Sequence, residues 1–126
     1  MKNKTPSEST LLNYWRKAVR ANYGDRCAKC GAQPVECHHI IKRRYKITAY
    51  DWRNGIALCH ACHNWIETID GRIWLYIYLA DNRILYLHQF EKTTLKQYLS
   101  DNGLTRDEFY NAKLAELKKQ IKMFDM

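Results

Sequence analysis

The 126-residue chain has no apolar run approaching the roughly 18 residues that a membrane-spanning helix needs, so no membrane span is expected. Its first ten residues, MKNKTPSEST, hold no apolar h-region; a secretory signal is not expected, and a cytoplasmic setting is. Internal repeats and low-complexity tracts are also lacking, which sets aside solenoid and compositionally biased architectures. Acidic residues are scarce in the first third. Residues 1–46 carry 11 Lys/Arg against only Glu8, Asp25 and Glu36, whereas residues 47–126 carry ten of each sign. The whole net charge of +8 therefore sits in that first third. It reads as a phosphate-facing surface, against the plainer reading of a soluble basic protein. The length suits a single domain, 1–126, small enough for a structural metal to help its core.

Five cysteines without a secretory signal do not suggest a disulfide framework, and two Cys-x2-Cys pairs suggest zinc. Cys27 with Cys30 and Cys59 with Cys62 can supply the four thiolates of a tetrahedral structural Zn2+ site. The 28 residues between the pairs exceed a short zinc-ribbon loop, so functional residues are expected there. Cys37 stands apart and reads as a small core residue.

Between the pairs lies ECHHI, Glu36–Ile40. Neighbouring side chains on a strand face opposite ways, so His38 and His39 are expected to do different work. The stretch LCHACHNWIE, Leu58–Glu67, holds five possible metal ligands. His63 follows Cys62 by about 100° of helix and cannot easily reach the same zinc. Glu67, four residues on, shares a helical face with His63, and the two form a nitrogen–oxygen pair suited to a second divalent metal. His60 lies inside the zinc knuckle and is expected to be a bystander.

Thr5-Pro6-Ser7-Glu8 reads as a capped helix start, predicting a helix over 5–23 that buries Leu12, Trp15 and Val19 and exposes Arg16, Lys17 and Arg20. Strands are predicted over 34–41 and 56–58, with a long basic loop over 42–55 between them. A helix is predicted over 60–69, stopped by Asp70-Gly71. Residues 72–90 fit either a hairpin or two helices around Asp81-Asn82; their β-branched and aromatic content favours strands. Thr105 and Glu108 form a capping box, Leu104 and Phe109 a hydrophobic staple, and Leu114, Leu117, Ile121 and Phe124 one helical face.

Taken together, the first Cys-x2-Cys, ECHHI, Asn54 and LCHACH resemble the HNH nucleases, a branch of the ββα-metal endonucleases, over about residues 24–70. The family's three letters correspond to His39, Asn54 and His63. WRNGIALCHACH, Trp52–His63, is similar to the W-x-x-N-G-I-x-L-C-x-x-C-H pattern of short phage-type members. The resemblance implies an α+β fold: a zinc-stabilised ββα-metal core at 24–70, flanked by the helix at 5–23 and a mainly helical extension at 72–126. Such relatives carry a helical tail, which tips 72–90 towards helices. Asn54 stands nine residues before His63, as in the colicin-type nuclease toxins, which lack the zinc. Where many relatives have a second ligand histidine, this chain has Glu67, a harder donor that favours Mg2+ or Mn2+.

By the same resemblance, the activity is that of an endodeoxyribonuclease, a hydrolase that cuts or nicks DNA to leave 5′-phosphate and 3′-hydroxyl ends. His39 would be the general base, and His38, His63 and Glu67 the ligands of the catalytic metal. Asn54 would tie down the loop and help orient His39. Lys42, Arg43, Arg44 and Lys46, with Tyr45 interleaved, would hold the sugar–phosphate backbone, helped by Arg53 and more weakly by Arg16, Lys17 and Arg20. A monomer or weak homodimer and phage or mobile-element partner proteins are compatible with it. Two other readings are a zinc-stabilised DNA-binding module without catalysis and a protein adaptor using the aromatic 72–90 segment.

Overall fold

Ser7 starts the first helix. Its backbone is extended and its hydroxyl accepts the Thr10 N–H at 3.1 Å, which satisfies one free donor of the first turn. The structure, a computed structural model, describes residues 4–80 and 83–124. In it α1 spans Glu8–Asn22, three residues later than the sequence suggests. Thr5 is not the cap; its hydroxyl instead donates to the Asp107 carboxylate. Leu11, Trp15, Ala18 and Val19 are buried, with Leu12 at the edge of the stripe. Gly24 and Asp25 both adopt left-handed backbone angles (φ 61° and 58°), turning the chain away from the helix.

Strand β1, Glu36–His39, pairs antiparallel with β2, Gly55–Leu58; His38 lies opposite Ile56 and His39 opposite Gly55. β1 is shorter than the predicted 34–41. Gly55 is needed for space rather than for its backbone angle. A Cβ there would collide with the Val19 side chain and approach Trp15 Cζ2 to 2.9 Å. Its absence lets α1 lie directly on the sheet.

Helix α2 follows β2 but covers only His60–Trp65. The predicted helix over 60–69 is broken because Thr68 caps a new one, α3 (Ile69–Tyr78), accepting the Gly71 N–H at 3.1 Å and donating to the Trp65 carbonyl at 2.6 Å. Gly71, expected as a stop, lies inside α3. A Cβ there would collide with the Trp65 carbonyl and sit 2.6 Å from Ile66 Cα, so the two helices cross backbone to backbone. Glu67 is consequently in the connecting turn rather than on the His63 helix.

The remainder is helical: α4 (Arg83–His88), α5 (Leu95–Asn102) and α6 (Arg106–Phe124). Residues 72–78 and 83–88 are helical, with turns at 79–80 and 89–90, against their strand-like composition; Asp81 and Asn82 lie outside the described residues. The capping box at α6 has both arms, Thr105 and Glu108 bonding each other's N–H through their side chains at 3.1 and 3.0 Å. The architecture is thus α+β, a small two-stranded sheet within a mostly helical chain.

Two apolar clusters organise it. α1 packs on Phe109, Tyr110 and Leu117 of α6 together with Ala49 and Tyr50. Ile56, Leu58, Cys27 and Ile66 pack on Leu75 and Leu79 of α3 and its end. No helix among the described residues is long and apolar enough to cross a membrane.

Candidate functional site

The turn after α1 carries Cys27 and Cys30. It is closed by Cys27 N–H to Ala32 O (3.0 Å) and Gly31 N–H to Cys27 O (2.9 Å), with Gly31 at φ 77°. Ala28 N–H bonds Ala57 O at 2.8 Å, which brings this turn to the end of β2, where Cys59 caps α2 and Cys62 follows. The four Sγ atoms lie within 4.8 Å of one another, and Cys30 and Cys59 are 3.6 Å apart. A tetrahedral zinc with bonds of about 2.3 Å separates its sulfurs by about 3.8 Å, so the cluster has the right size.

Its electrostatics also call for a cation. Burial works against a Cys27 thiolate, yet backbone N–H groups of Cys59, Cys30 and Lys29 outweigh it and bring the thiol to about 6. Cys62 goes the other way, to about 12, through burial and then its three cysteine neighbours. Four thiols this close cannot all ionise unaided; a divalent ion removes the conflict. The donor set fits structural zinc. Cys37 takes no part: half-buried, it points to the Arg16 carbonyl (3.5 Å), and burial pushes its thiol up.

β1 sends its side chains to two sides. Cys37 and His39 meet α1, while Glu36 and His38 meet α2 and the turn after it. The His39 ring stacks on Trp15, centroids 3.7 Å apart and planes 7° apart. Its Nε2 lies 2.9 Å from the Ala49 carbonyl, an acceptor, so Nε2 carries the proton and Nδ1 is the basic nitrogen. Burial foremost, with Arg43 nearby, brings the ring's pKa down to about 4 despite that hydrogen bond. His39 is therefore neutral at pH 7.

Asn54 is fully buried. It donates to the Ile41 and Thr48 carbonyls (2.9 and 3.0 Å) and accepts the Ile41 N–H at 2.6 Å. These bonds pin both ends of the 41–48 loop. They act on His39 at one remove, since Thr48 precedes the Ala49 carbonyl that holds the ring.

On the other side, His38 Nε2 lies 3.5 Å from Glu67 Oε1, and the His38 and His63 rings meet edge to face at 5.2 Å. His38 thus neighbours both His63 and Glu67, although Glu67 arrives from the turn and not from an i,i+4 helical face. Among the described residues, only the four cysteines bring three or more metal-capable donors to one point. His63 Nδ1 is held 2.7 Å from Glu36 Oε1. His60 Nδ1 lies 3.4 Å from the other Glu36 oxygen, so it is partnered, though outside the four-cysteine cluster. Burial, then His63, lowers the His38 pKa; Glu67 opposes the shift.

His38, His39 and Glu67 line a groove of about 320 Å3. Lys42, Arg44 and Tyr45 form one wall, Arg72 and Tyr76 of α3 the other. Lys42, Arg43 and Arg44 are exposed. Lys46 reaches back to Glu8 (3.3 Å), and Arg20 pairs with Asp25 (3.8 Å); Arg16 and Lys17 are exposed on α1. Arg53, expected to help hold phosphate, is engaged internally. Its Nη1 bonds Asp51, the Tyr86 hydroxyl at 3.0 Å and Glu116 at 3.2 Å, joining the turn before β2 to α4 and α6.

Sequence reading missed four contributors: Trp15, the Ala49 carbonyl, Glu36 and Arg72. Glu36 had a signal, because the two-residue period of a strand sets it on the His38 face. Trp15 was legible only as core, and nothing local ties Ala49 to His39. Arg72, 3.3 Å from Glu67, depends on the unforeseen helix break.

Compared with known proteins, residues 25–67, about a third of the chain, match the HNH endonuclease family model. No curated protein and no solved structure matches significantly.

Proposed function

We propose that the HNH endonuclease domain at residues 25–67 makes this protein a metal-dependent DNA endonuclease or nickase. The observation that carries this reading is His39: a neutral imidazole, its Nε2–H tied to Ala49 and its Nδ1 basic, in a groove with a basic wall. In the proposed reaction His39 Nδ1 takes a proton from the water that attacks phosphorus. Trp15 and Ala49 keep the ring in place, so little reorganisation accompanies the transfer. Asn54 holds the loop that carries Ala49. Lys42, Arg43 and Arg44 grip the backbone without reading sequence.

His38, His63 and Glu67 would hold Mg2+ or Mn2+. Glu67 supplies the oxygen donor, and His38 Nε2 lies beside it. When bound, the ion stabilises the charge developing on the phosphoryl oxygens and the leaving 3′ oxygen. The products are 5′-phosphate and 3′-hydroxyl ends. DNA is the substrate the family implies. The four-cysteine zinc supports the frame and takes no chemical part.

A supercoiled-plasmid assay with Mg2+ or Mn2+ tests the proposal. Wild type is expected to convert the plasmid to nicked or linear form and to stop on EDTA addition. His39→Ala should bind DNA and cut at least 100-fold more slowly, the lower end of what a general base contributes being about 10²-fold. Equal cutting by His39→Ala, or no metal-dependent cutting of duplex, single-stranded or branched DNA by wild type, would overturn it.

A further inference from the structure

Glu36 belongs to neither cluster as the sequence presents them, yet one carboxylate meets two imidazoles. Oε1 is 2.7 Å from His63 Nδ1 and Oε2 is 3.4 Å from His60 Nδ1. The β1 pleat puts Glu36 beside His38, opposite Leu58 at the mouth of α2, one turn from both histidines. An ionised carboxylate has no proton to give, so at 2.7 Å the His63 Nδ1 must be the donor. A free carboxylate is already ionised at neutral pH. His63 is then left with Nε2 as its only lone-pair nitrogen, on a ring packed against His38.

We propose that Glu36 is a positioning residue for His63: it holds the ring in the Nδ1–H form and leaves Nε2 as the nitrogen for the divalent cation. This rests on the endonuclease reading for the cation's purpose, though not for the geometry. A carboxylate behind a ligand histidine fixes its tautomer and orientation and makes it a better donor. The second oxygen, on His60, limits rotation of the carboxylate. That contact turns a histidine with no place in either metal set into a support for one of them.

The test uses the full, zinc-loaded chain labelled with 15N at histidine, without DNA or added divalent metal. Long-range 1H–15N spectra should show His63 protonated on Nδ1 in wild type and shifted towards the Nε2–H form in Glu36→Ala. Mn2+ binding followed by electron paramagnetic resonance should weaken about 10- to 100-fold in Glu36→Ala. Glu36→Gln keeps an oxygen acceptor and should retain the tautomer with a smaller loss. Glu36 is partly exposed, and about one zinc per chain in each variant shows that the frame has formed.

Three results would overturn the assignment: a wild-type His63 protonated on Nε2, unchanged Mn2+ affinity in Glu36→Ala, or a loss in Glu36→Gln as complete as in Glu36→Ala. The last would make Glu36 itself a ligand. If tautomer and Mn2+ binding behave as expected while no DNA is cut, the endonuclease reading falls and the role of Glu36 stands.

Discussion

Burial of the His39 ring against Trp15 has a consequence for stability as well as for chemistry. Its pKa drops from 6.5 to about 4 on folding. Above pH 6.5 the ring is neutral in both folded and unfolded chains and pH has no leverage through it. Between 6.5 and about 4 the unfolded chain binds a proton that the folded one refuses, so stability falls as pH falls and levels off below. His39→Gln removes this titration. Thermal melts of wild type and His39→Gln at pH 7.5 and 5.5 should therefore show wild type losing more. Parallel losses would mean a ring far less buried. Gly55 gives a second outcome at this scale. Gly55→Ala must move Val19 or Trp15 and should destabilise by about 1–3 kcal/mol in urea unfolding, the usual range for overpacking. A wild-type midpoint would show that α1 does not sit so close. The four-cysteine cluster was legible in sequence because ligand spacing is local; the wall behind the His39 ring was not, because Trp15 reaches His39 only through tertiary packing.

Elements were legible where their signals were self-contained. The α6 capping box closes within four residues, and its sequence reading and geometry agree. At α1 two capping residues competed and Ser7 prevailed over Thr5. The α2–α3 break was hidden because Gly71 reads as a terminator when its role is to let two backbones touch. Thr68 is the testable piece. Thr68→Ala removes the α3 cap and should lower stability by about 1 kcal/mol. It should also weaken Mn2+ binding, since the same turn presents Glu67 to His38. Lost stability with intact Mn2+ affinity would separate the cap from the metal-facing geometry. For 72–90, β propensity was overridden by tertiary context: Leu75 and Leu79 bury against Ile56 and Leu58 as one side of a helix.

Across the whole molecule, the four-cysteine cluster joins the turn after α1 to the end of β2, the two places from which the site is hung, and a zinc held there would tie them together. Stripping it with a strong chelator should unfold the core cooperatively, seen as loss of far-ultraviolet helical signal and return on zinc addition. Cys59→Ser should behave likewise. Retention of the folded spectrum without metal would show that the apolar clusters suffice. The Asp51–Arg53–Tyr86–Glu116 cluster ties the helical extension to the turn before β2. Arg53 therefore joins parts of the protein that a reading of the basic loop alone would have assigned to DNA.

The stacking of Trp15 on His39 bears on portability. The segment that matches the family begins at residue 25, so the surface behind His39 is borrowed from a helix outside it. That helix is in turn propped by Phe109, Tyr110 and Leu117 near the far end of the chain. A graft of residues 25–67 into a foreign scaffold should still capture zinc through its own cysteines. Its His39 should titrate nearer 6.5 than 4 and lose its fixed tautomer, both readable by NMR. The four-cysteine knot should travel with the segment; the poise of the imidazole is a property of the host.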